Sequence, residues 1–517
     1  MYYNKTGFFK LIILQNICFF YNHIMSNYDV IVVGAGNAAQ AAAMSAVESG
    51  AKRVAILEKA HEEMRGGNTH WSGGILRIAF DDSRKLAPFL PGVENEYLNF
   101  YDGIQPYTKK KYMEDLMRVT NGRSDPALAN ILVNNSYDAV KWSVKVAKIQ
   151  CEPACHVCGV QVNGQWTFPG GVVIRAKHEG KGLSAAWFKA SKNTGIDIRY
   201  GSGALQLLQN DKGKVIGVVT KEDDGIKKLY ANAVVLGCGG FEANSQMRAQ
   251  YLGAPWDTAK VRGTSYNQGD GLKMALSIGA MPFGQWTGRH STPIDANWPD
   301  HADRKRGDQS NRLSYSFGII LNRDGLRFVD EGEDTKLYTY AKFGAQMLKQ
   351  PGGIAYQIFD QKTVQHLEPR YKTGQSIEAN TLEELVELMD IENREQALKT
   401  IKEFNSCANS ANKFDPTCKD GLSTNGLSLP KSNWAIKIDE PPFVAYPTTG
   451  GITFTFGGLK INEHAQVIGT DWRPIPGLFT CGEMVGGLFH DNYPGGSGLV
   501  SGQVFGKIAG NSAANEV

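Results

Sequence analysis

Residues 28–58 read YDVIVVGAGNAAQAAAMSAVESGAKRVAILE, and few folds can be written around that stretch. Tyr28–Val33 is an apolar, β-branched run that predicts a buried strand. Ala38–Ser49 is alanine-rich and closed by Gly50, which predicts a helix, and Arg53–Glu58 predicts a second strand. The result is a βαβ unit with Gly34, Gly36 and Ala39 at the spacing of a dinucleotide-binding turn. Gly34 allows the tight turn, Gly36 lets a pyrophosphate reach the backbone, and Ala39 keeps helix and strand close. Asn37 and Ala38 open the helix, whose N-terminal N–H groups face the phosphates. Glu58, 22 residues after Gly36, is placed to accept ribose hydroxyls, with Lys59 beside it. An acidic residue there disfavours a 2′-phosphate, so NADP is not expected.

At 517 residues the chain exceeds one ordinary core, and two domains are expected. Its 55 basic and 52 acidic residues leave a net charge of +3, which gives no reason to expect nucleic acid as a partner. Its 58 glycines stand largely in G-G or G-x-G clusters, as backbone approach to a large ligand requires. Three of eight cysteines crowd into CEPACHVC, Cys151, Cys155 and Cys158. No second Cys/His pair matches them, and Gly159 stands where a c-type haem site needs histidine. No metal site is therefore expected, and the thiols read as reduced, in a cytoplasmic protein. Residues 1–24 carry an apolar run broken by Lys10, Gln15 and Asn16, too short to span a bilayer. They read as an extension, disordered or not natively translated, ahead of an ordinary start at Met25, with a membrane-associating or signal segment as the alternative.

Residues 125–200 read as largely helical with loops, and 204–236 as two hairpin-like segments whose last strand, Ala233–Leu236, runs into Gly237, Gly239 and Gly240. Composition changes after NQGDGLKMALSIGA. Residues 285–445 carry Trp, His, Pro and charges and the helical pair within TLEELVELMDIENREQALKTIKEFN. Strand and glycine character returns at GGITFTFGGLKIN and GLFTCGEMVGG. The expected division is one domain from 25–284 and 446–517, with a cap at 285–445 inserted between.

The stretches DVIVVGAGNAA, RGGNTHWSGGILR, VVLGCGGF, GDGLKMALSIGA, GLRFVDEG with YTYAK after it, GITFTFGGLKI and GLFTCGEMVGGLFHDNYPGGSGLVSGQVFGKIAG stand in one order over residues 28–510. In that order they resemble the flavoprotein subunit family of succinate dehydrogenase and fumarate reductase, and within it the FAD-dependent tricarballylate dehydrogenase group. The resemblance implies an α/β fold: a Rossmann-like FAD-binding domain of the glutathione-reductase type, built from both chain ends, with an inserted α+β cap. It implies FAD held without a covalent bond, since glycine stands where some members carry a flavin-linked histidine. Gly66, Gly67, Asn68, Thr69, Ser72, Gly73 and Gly74 would line the flavin side, with Ala204, Gly239, Gly240 and Asp270 also on the cofactor. Glu483 would meet the ribityl or ribose hydroxyls. Gly496, Ser497, Gly498, Leu499 and Val500 would lie against the isoalloxazine ring, the following helix directing its N–H groups at the flavin.

Three positions depart from the fumarate reductases. Tyr493 replaces an arginine that grips a substrate carboxylate. Thr453 and Phe454 replace a histidine pair. The proton-donating arginine is missing, with Lys336 one residue away. The tricarballylate group is similar to this chain at these places. Dehydrogenation of a small polycarboxylic acid needs a base and groups that hold carboxylates. The candidates are Lys336, Tyr338, Tyr493 and His290 for catalysis, and Arg289, Tyr340, Thr453 and Thr455 for binding. The resemblance also implies a separate membrane-side redox partner that reoxidises the flavin. Alternatives are a 3-ketosteroid dehydrogenase-like or fumarate reductase-like enzyme, and a flavin-binding subunit without turnover.

Overall fold

The computed structural model describes residues 27–301, 303–408 and 413–516. The expected extension at 1–24 lies outside the described residues. Strand β1 (Tyr28–Val33) is followed by helix α1 (Asn37–Glu48) and strand β2 (Val54–Leu57), each within a residue or so of its expected bounds. β1 pairs in parallel with β2, Val30 facing Val54, and β2 pairs in parallel with β3 (Asp197–Arg199). On its other side β1 pairs in parallel with the second half of β4 (Gly225–Leu236). The unbroken apolar run of β1 follows from this central place, where both faces of a parallel sheet are covered. The first half of β4 instead forms an antiparallel meander with 215–222 and 203–209. The helical expectation for 125–200 is met at Pro126–Ala147 and Glu179–Thr194, and between them only by the four-residue helix Cys155–Cys158. Short strands occupy 151–153, 160–162, 165–167 and 174–176 there, paired with one another or with Ile75–Leu76.

Strand β5 (Pro282–Asp295) opens a second sheet. β6 (Ile319–Asn322), helix α2 (Tyr340–Leu348), β7 (Ile354–Phe359) and the 17-residue β8 (Phe443–Leu459) follow. β8 pairs antiparallel with β5 and β7, and β7 with β6. Both expected domain boundaries, at 284/285 and 445/446, fall inside continuous strands, β5 and β8. The helical pair appears as Leu382–Leu388 and Arg394–Cys407, the first opened by a capping box between Thr381 and Glu384.

The chain then returns to its beginning. β9 (Pro474–Thr480) joins the first sheet in parallel with β4, Val234 facing Leu478. Helix α3 (Ser497–Ala514) lies against α1. The approach is close because glycine recurs every fourth residue on the contact face. A Cβ at Gly506 would stand 2.5 Å from the carbonyl of Ala38, and one at Gly510 would stand 2.0 Å from that of Ala42. Asn37 Nδ2 and Ser45 Oγ donate across this contact to Leu499 O and Lys507 O, at 2.8 and 2.7 Å. This contact and the β4–β9 pairing join the two chain ends into one unit. Among the described residues no helix is long and apolar enough to cross a membrane.

Candidate active site

A cleft runs along the carboxyl ends of β1, β2 and β4, where ligands of doubly wound sheets bind. Gly34, Gly36, Asn37, Ala38, Glu58, Lys59, Gly67, Asn68, Thr69, Ser72, Ala204, Gly239, Asp270, Glu483, Gly498 and Leu499 line it. Its glycines are of two kinds. Gly34 has φ +99°, and a Cβ there would stand 2.5 Å from Gly237 O, so the protein itself requires glycine. Gly36 has φ −72°, and a Cβ there would meet nothing closer than Thr69 Oγ1 at 3.5 Å. The space above Gly36 is kept open for something other than protein. The residue before each helix, Gly36 and Gly496, offers no capping side chain; Asn37 N donates to Thr69 Oγ1 at 2.9 Å and Ser497 N to Pro494 O at 3.1 Å, and the first turns of both helices reach the cleft. The helix N-termini there suit phosphate at α1 and an anionic ring edge at α3.

The acidic groups are prepared for hydroxyls rather than cations. Glu58 is buried, and its two carboxylate oxygens accept from Ala60 N at 2.9 Å and Gly66 N at 3.3 Å. Glu483 accepts from Thr455 N at 2.7 Å and Thr455 Oγ1 at 3.0 Å, and burial raises it to about 7. Its neighbour Glu242 is raised well above the ordinary carboxyl range by burial and by Glu483, and accepts from Asn68 and Asn267 at 2.5 Å. The cleft therefore fits FAD in its glycine cradle, its helix N-termini and its hydroxyl acceptors.

Several expected cofactor residues support this cleft without facing it. Ala39 packs beneath Gly237. Gly66 and Gly74 admit Ser184 and the backbone of Glu179, where a Cβ would come within 2.5 and 2.8 Å. Gly240 lies on Thr455 and Glu483, Ser497 Oγ accepts from Tyr112 Oη at 2.9 Å, and Val500 is core. Gly73 and Gly496 line the neighbouring pocket instead.

That pocket, about 80 Å³, shares Ser72, Arg262, Tyr493, Gly498 and Leu499 with the cleft. A chain of alternating charges forms its wall. Arg262 pairs with Asp308; Asp308 pairs with Arg370 at 2.7 Å; Arg370 pairs with Glu368 at 2.5 Å; Glu368 pairs with Lys336. Burial alone would raise Glu368, but Arg370 and Lys336 hold it below the ordinary carboxylate range. Three cations meet two carboxylates in this chain, so one positive charge is left for a ligand. Tyr340 and Tyr493 share a hydroxyl hydrogen bond of 2.6 Å. Burial raises both; for Tyr493 the Tyr340 bond, Arg262 and Arg77 pull the other way. His290 stands edge-on to both rings, at 5.0 and 5.1 Å between centroids. It lines the cleft with Nε2 unpartnered, and burial, then Arg262, keeps it neutral. Thr453 Oγ1 accepts from Arg262 Nε at 2.9 Å.

Four expected site residues need correction. Arg289 and Thr455 face each other across β5 and β8, as His290 and Phe454 do one residue on. Alternation along a strand puts the first pair on the opposite face from the second. Arg289 stacks 4.5 Å over Trp256, and Thr455 serves Glu483 from beneath. Tyr338 donates to Asp115 at 2.8 Å and lies outside both cavities, because a 3₁₀ turn at Lys336–Tyr338 separates it from Tyr340 at the start of α2. Lys336 lines the pocket, yet its neighbouring charge is a carboxylate and not the cation a lysine base would need. It fits a carboxylate clamp.

The sequence reading missed Arg262, Asp308, Glu368, Arg370 and Arg77. The first four come from three segments, Glu368 and Arg370 standing two residues apart, with no shared motif, and only the fold assembles them. Arg77 is fully buried, stacks over Tyr107 and Tyr338 at 5.0 and 5.2 Å, and donates from Nε to Gly495 O at 2.7 Å. The cluster Cys151, Cys155 and Cys158 has thiols that burial raises to about 12, 12 and 11.

Comparisons with known proteins agree with this architecture. Residues 29–500 match the family described as FAD binding domain. The chain is 28% identical over 498 residues to a fumarate reductase (cytochrome) of Shewanella frigidimarina, covering 94% of this chain and 77% of that one. It is 28% identical over 514 residues to a urocanate reductase of Eggerthella lenta, covering 95% and 75%. The crystal structure of 3-ketosteroid delta1-dehydrogenase from Sterolibacterium denitrificans shares its fold with a TM-score of 0.72 at 21% identity, covering 95% of this chain and all of that one.

Proposed function

The chain belongs to the FAD binding domain family, within the succinate dehydrogenase and fumarate reductase flavoprotein superfamily, and is an FAD-dependent oxidoreductase acting on carbon–carbon bonds; from that premise we propose that its substrate is a small carboxylic acid of the tricarballylate to cis-aconitate type. The observation that carries this reading is the cationic wall of Arg262, Arg370 and Lys336 in a pocket of about 80 Å³ that opens on the flavin cleft.

FAD, when bound, supplies a two-electron hydride acceptor at N5. Arg262, held by Asp308 and Thr453, grips a carboxylate, while Arg370 and Lys336, both paired with Glu368, line the pocket beside it and supply the one positive charge left over by the pairs. The hydroxyl pair of Tyr493 and Tyr340 takes the proton from the carbon next to the one that gives up hydride. Tyr493 is the better acceptor of the two, since the hydrogen bond between them favours ionisation of Tyr493 and opposes that of Tyr340. His290 stays neutral and offers its unpartnered Nε2 as a hydrogen-bond group to ligand. A 3-ketosteroid-like reading has one observation in its favour, the hydrogen-bonded hydroxyl pair of Tyr340 and Tyr493 in the pocket wall. A cytoplasmic setting and a membrane-side redox partner complete the proposal.

The experiment is anaerobic bleaching of the flavin band of purified, FAD-loaded protein. Tricarballylate, succinate, citrate and a 3-ketosteroid are offered separately. Bleaching by an acid is expected, and bleaching by the steroid alone would overturn the reading.

A further inference from the structure

Arg77 is a buried cation that the reaction described above leaves without a task. It follows the short strand Ile75–Leu76 and is fully buried. A guanidinium stays protonated, so a buried one needs a carboxylate or a set of carbonyls. Arg262, Arg312 and Arg370 have carboxylates, in Asp308, Asp295, and Asp308 with Glu368. Arg248 has carbonyls, donating to O of Glu242, Trp256, Asp257 and Ala259. Arg77 has neither. Its Nε donates to Gly495 O at 2.7 Å, Nη1 meets Tyr338 Oη only at 3.4 Å, and Nη2 has no partner. The rings of Tyr107, Tyr112 and Tyr338 enclose it, at 5.0, 5.9 and 5.2 Å. Among the described residues no carboxylate bonds to it. The acid it reaches is Asp115, through the hydroxyls of Tyr338 and Tyr107, which donate to that carboxylate at 2.8 and 3.0 Å. Asp115 already serves Lys111 and Arg118, at 3.0 and 3.2 Å. The charge of Arg77 therefore has no counter-charge of its own.

That charge is fixed in place. Arg77 N donates to Gly496 O at 3.2 Å, and a Cβ on Gly496 would stand 3.1 Å from the same nitrogen. Gly495 and Gly496 form the loop from which α3 starts. Tyr112, stacked on Arg77, donates to Ser497 Oγ in the first turn of α3. Gly498 and Leu499, next in that turn, line the flavin cleft, whereas Arg77 belongs to the lining of neither cleft nor pocket. Its field still reaches both, since it favours the ionised forms of Tyr340 and Tyr493.

We propose that Arg77 sets the reduction potential of the bound flavin, as an uncompensated cation locked beneath the loop that opens α3. Two electrons arriving at FAD with one proton add one negative charge. The N-terminus of α3 and the guanidinium behind it both stabilise that charge, so together they raise the potential. Arg77 does this through its field and touches neither flavin nor substrate. The inference rests on FAD in this cleft, and not on the acid proposed as substrate.

The test measures the midpoint potential of FAD-loaded protein against a reference dye during slow anaerobic reduction, with no substrate present. Wild type, Arg77→Met and Arg77→Lys are compared, and FAD content and unfolding midpoint are recorded for each. Arg77→Met keeps a long side chain and removes the charge. Arg77→Lys keeps the charge and gives up the planar stack. Both variants should unfold more easily than wild type, but only Arg77→Met should disfavour reduced flavin. The expected shift in the reduction equilibrium is at least tenfold, about 30 mV for a two-electron couple. Arg77→Lys should stay within about threefold of wild type. A wild-type potential in Arg77→Met overturns the proposal. A potential as low in Arg77→Lys as in Arg77→Met overturns it as well, since the effect is then one of packing. If Arg77→Met does not fold or takes up no FAD, Asp115→Asn decides instead. Removing that carboxylate should favour reduced flavin about threefold, and an unchanged or lowered potential overturns the proposal. Wild-type protein that takes up no FAD overturns the cofactor and this role with it. A shifted potential in protein that no acid reduces upholds the role of Arg77 and counts only against the proposed substrate.

Discussion

Substituting alanine at Gly34 and at Gly36, two residues apart, should give opposite results. A Cβ at Gly34 would lie 2.5 Å from Gly237 O and 2.7 Å from Cα of Cys238, on a backbone with φ +99°. The left-handed conformation alone costs about 1–2 kcal/mol, and the overlap with backbone forces β1 and β4 apart. Gly34→Ala is therefore expected to lose about 3 kcal/mol or more, or to fail to fold. At Gly36, with φ −72° and no atom closer than 3.5 Å, alanine fits the protein. Reduced freedom of the unfolded chain favours alanine by about 0.4–1 kcal/mol, and the N-cap place of Gly36 disfavours it by about the same, so FAD-free Gly36→Ala should keep its stability to within about 1 kcal/mol. The added methyl stands where the pyrophosphate approaches, so FAD affinity should fall at least tenfold, about 1.4 kcal/mol or more. Chemical denaturation of FAD-free protein and quenching of flavin fluorescence measure the two effects separately. A Gly36→Ala protein that binds FAD like wild type, or that without FAD loses as much stability as Gly34→Ala, would refute the division between glycines required by the fold and glycines required by the ligand.

Three further outcomes are expected. Glu483, raised by burial from 4.5 to about 7, binds a proton in the folded state that the unfolded state releases, so stability is fully present below about pH 4.5 and lost as pH rises through 7. At 1.36 kcal/mol per pH unit the loss approaches about 3 kcal/mol, and Glu483→Gln should flatten FAD-free melting curves across that window; an unchanged slope counts against the paired carboxyls. The rate of flavin bleaching by substrate should rise with pH on the alkaline side, because Tyr493 must ionise to accept a proton, and Tyr493→Phe should remove that rise while retaining FAD. A pH-independent rate in wild type would take the proton away from Tyr493. Arg77→Lys keeps the charge but gives up the planar stack and the bond to Gly495 O, and should cost about 1–2 kcal/mol in denaturation; no loss would mean that the ring contacts contribute nothing.

Much of the cofactor cleft was legible because its signals are local. Tyr28–Val33, Gly34 and Gly36 announce a strand, a turn and an open helix end within nine residues, and α1 and β2 follow from period and capping. The joining of the two ends was expected only from the family resemblance; the four-residue spacing of Gly502, Gly506 and Gly510 that permits it went unread, because its meaning depends on which helix packs against that face. The catalytic pocket was legible only in part. Tyr493 and Lys336 were found through departures from a family pattern, and Tyr340 through its neighbours. Arg289 was misplaced because the alternation of β5 decides which of two adjacent residues faces the site, and nothing local tells inside from outside when both are polar. Tyr338 was misplaced because a 3₁₀ turn breaks the two-residue period. Arg262, Asp308, Glu368 and Arg370 carry no motif, since each is defined by the partner that the fold brings to it.

The central claim is that both chain ends close on one flavin whose reactive edge faces the Arg262–Tyr493 pocket. A crystal structure of the protein grown with FAD tests it most directly. The account predicts pyrophosphate density over Gly36 at the start of α1, and an isoalloxazine ring beside Gly498 with N5 toward Tyr493. A flavin elsewhere, or one with N5 turned away from Arg262 and Tyr493, would contradict it.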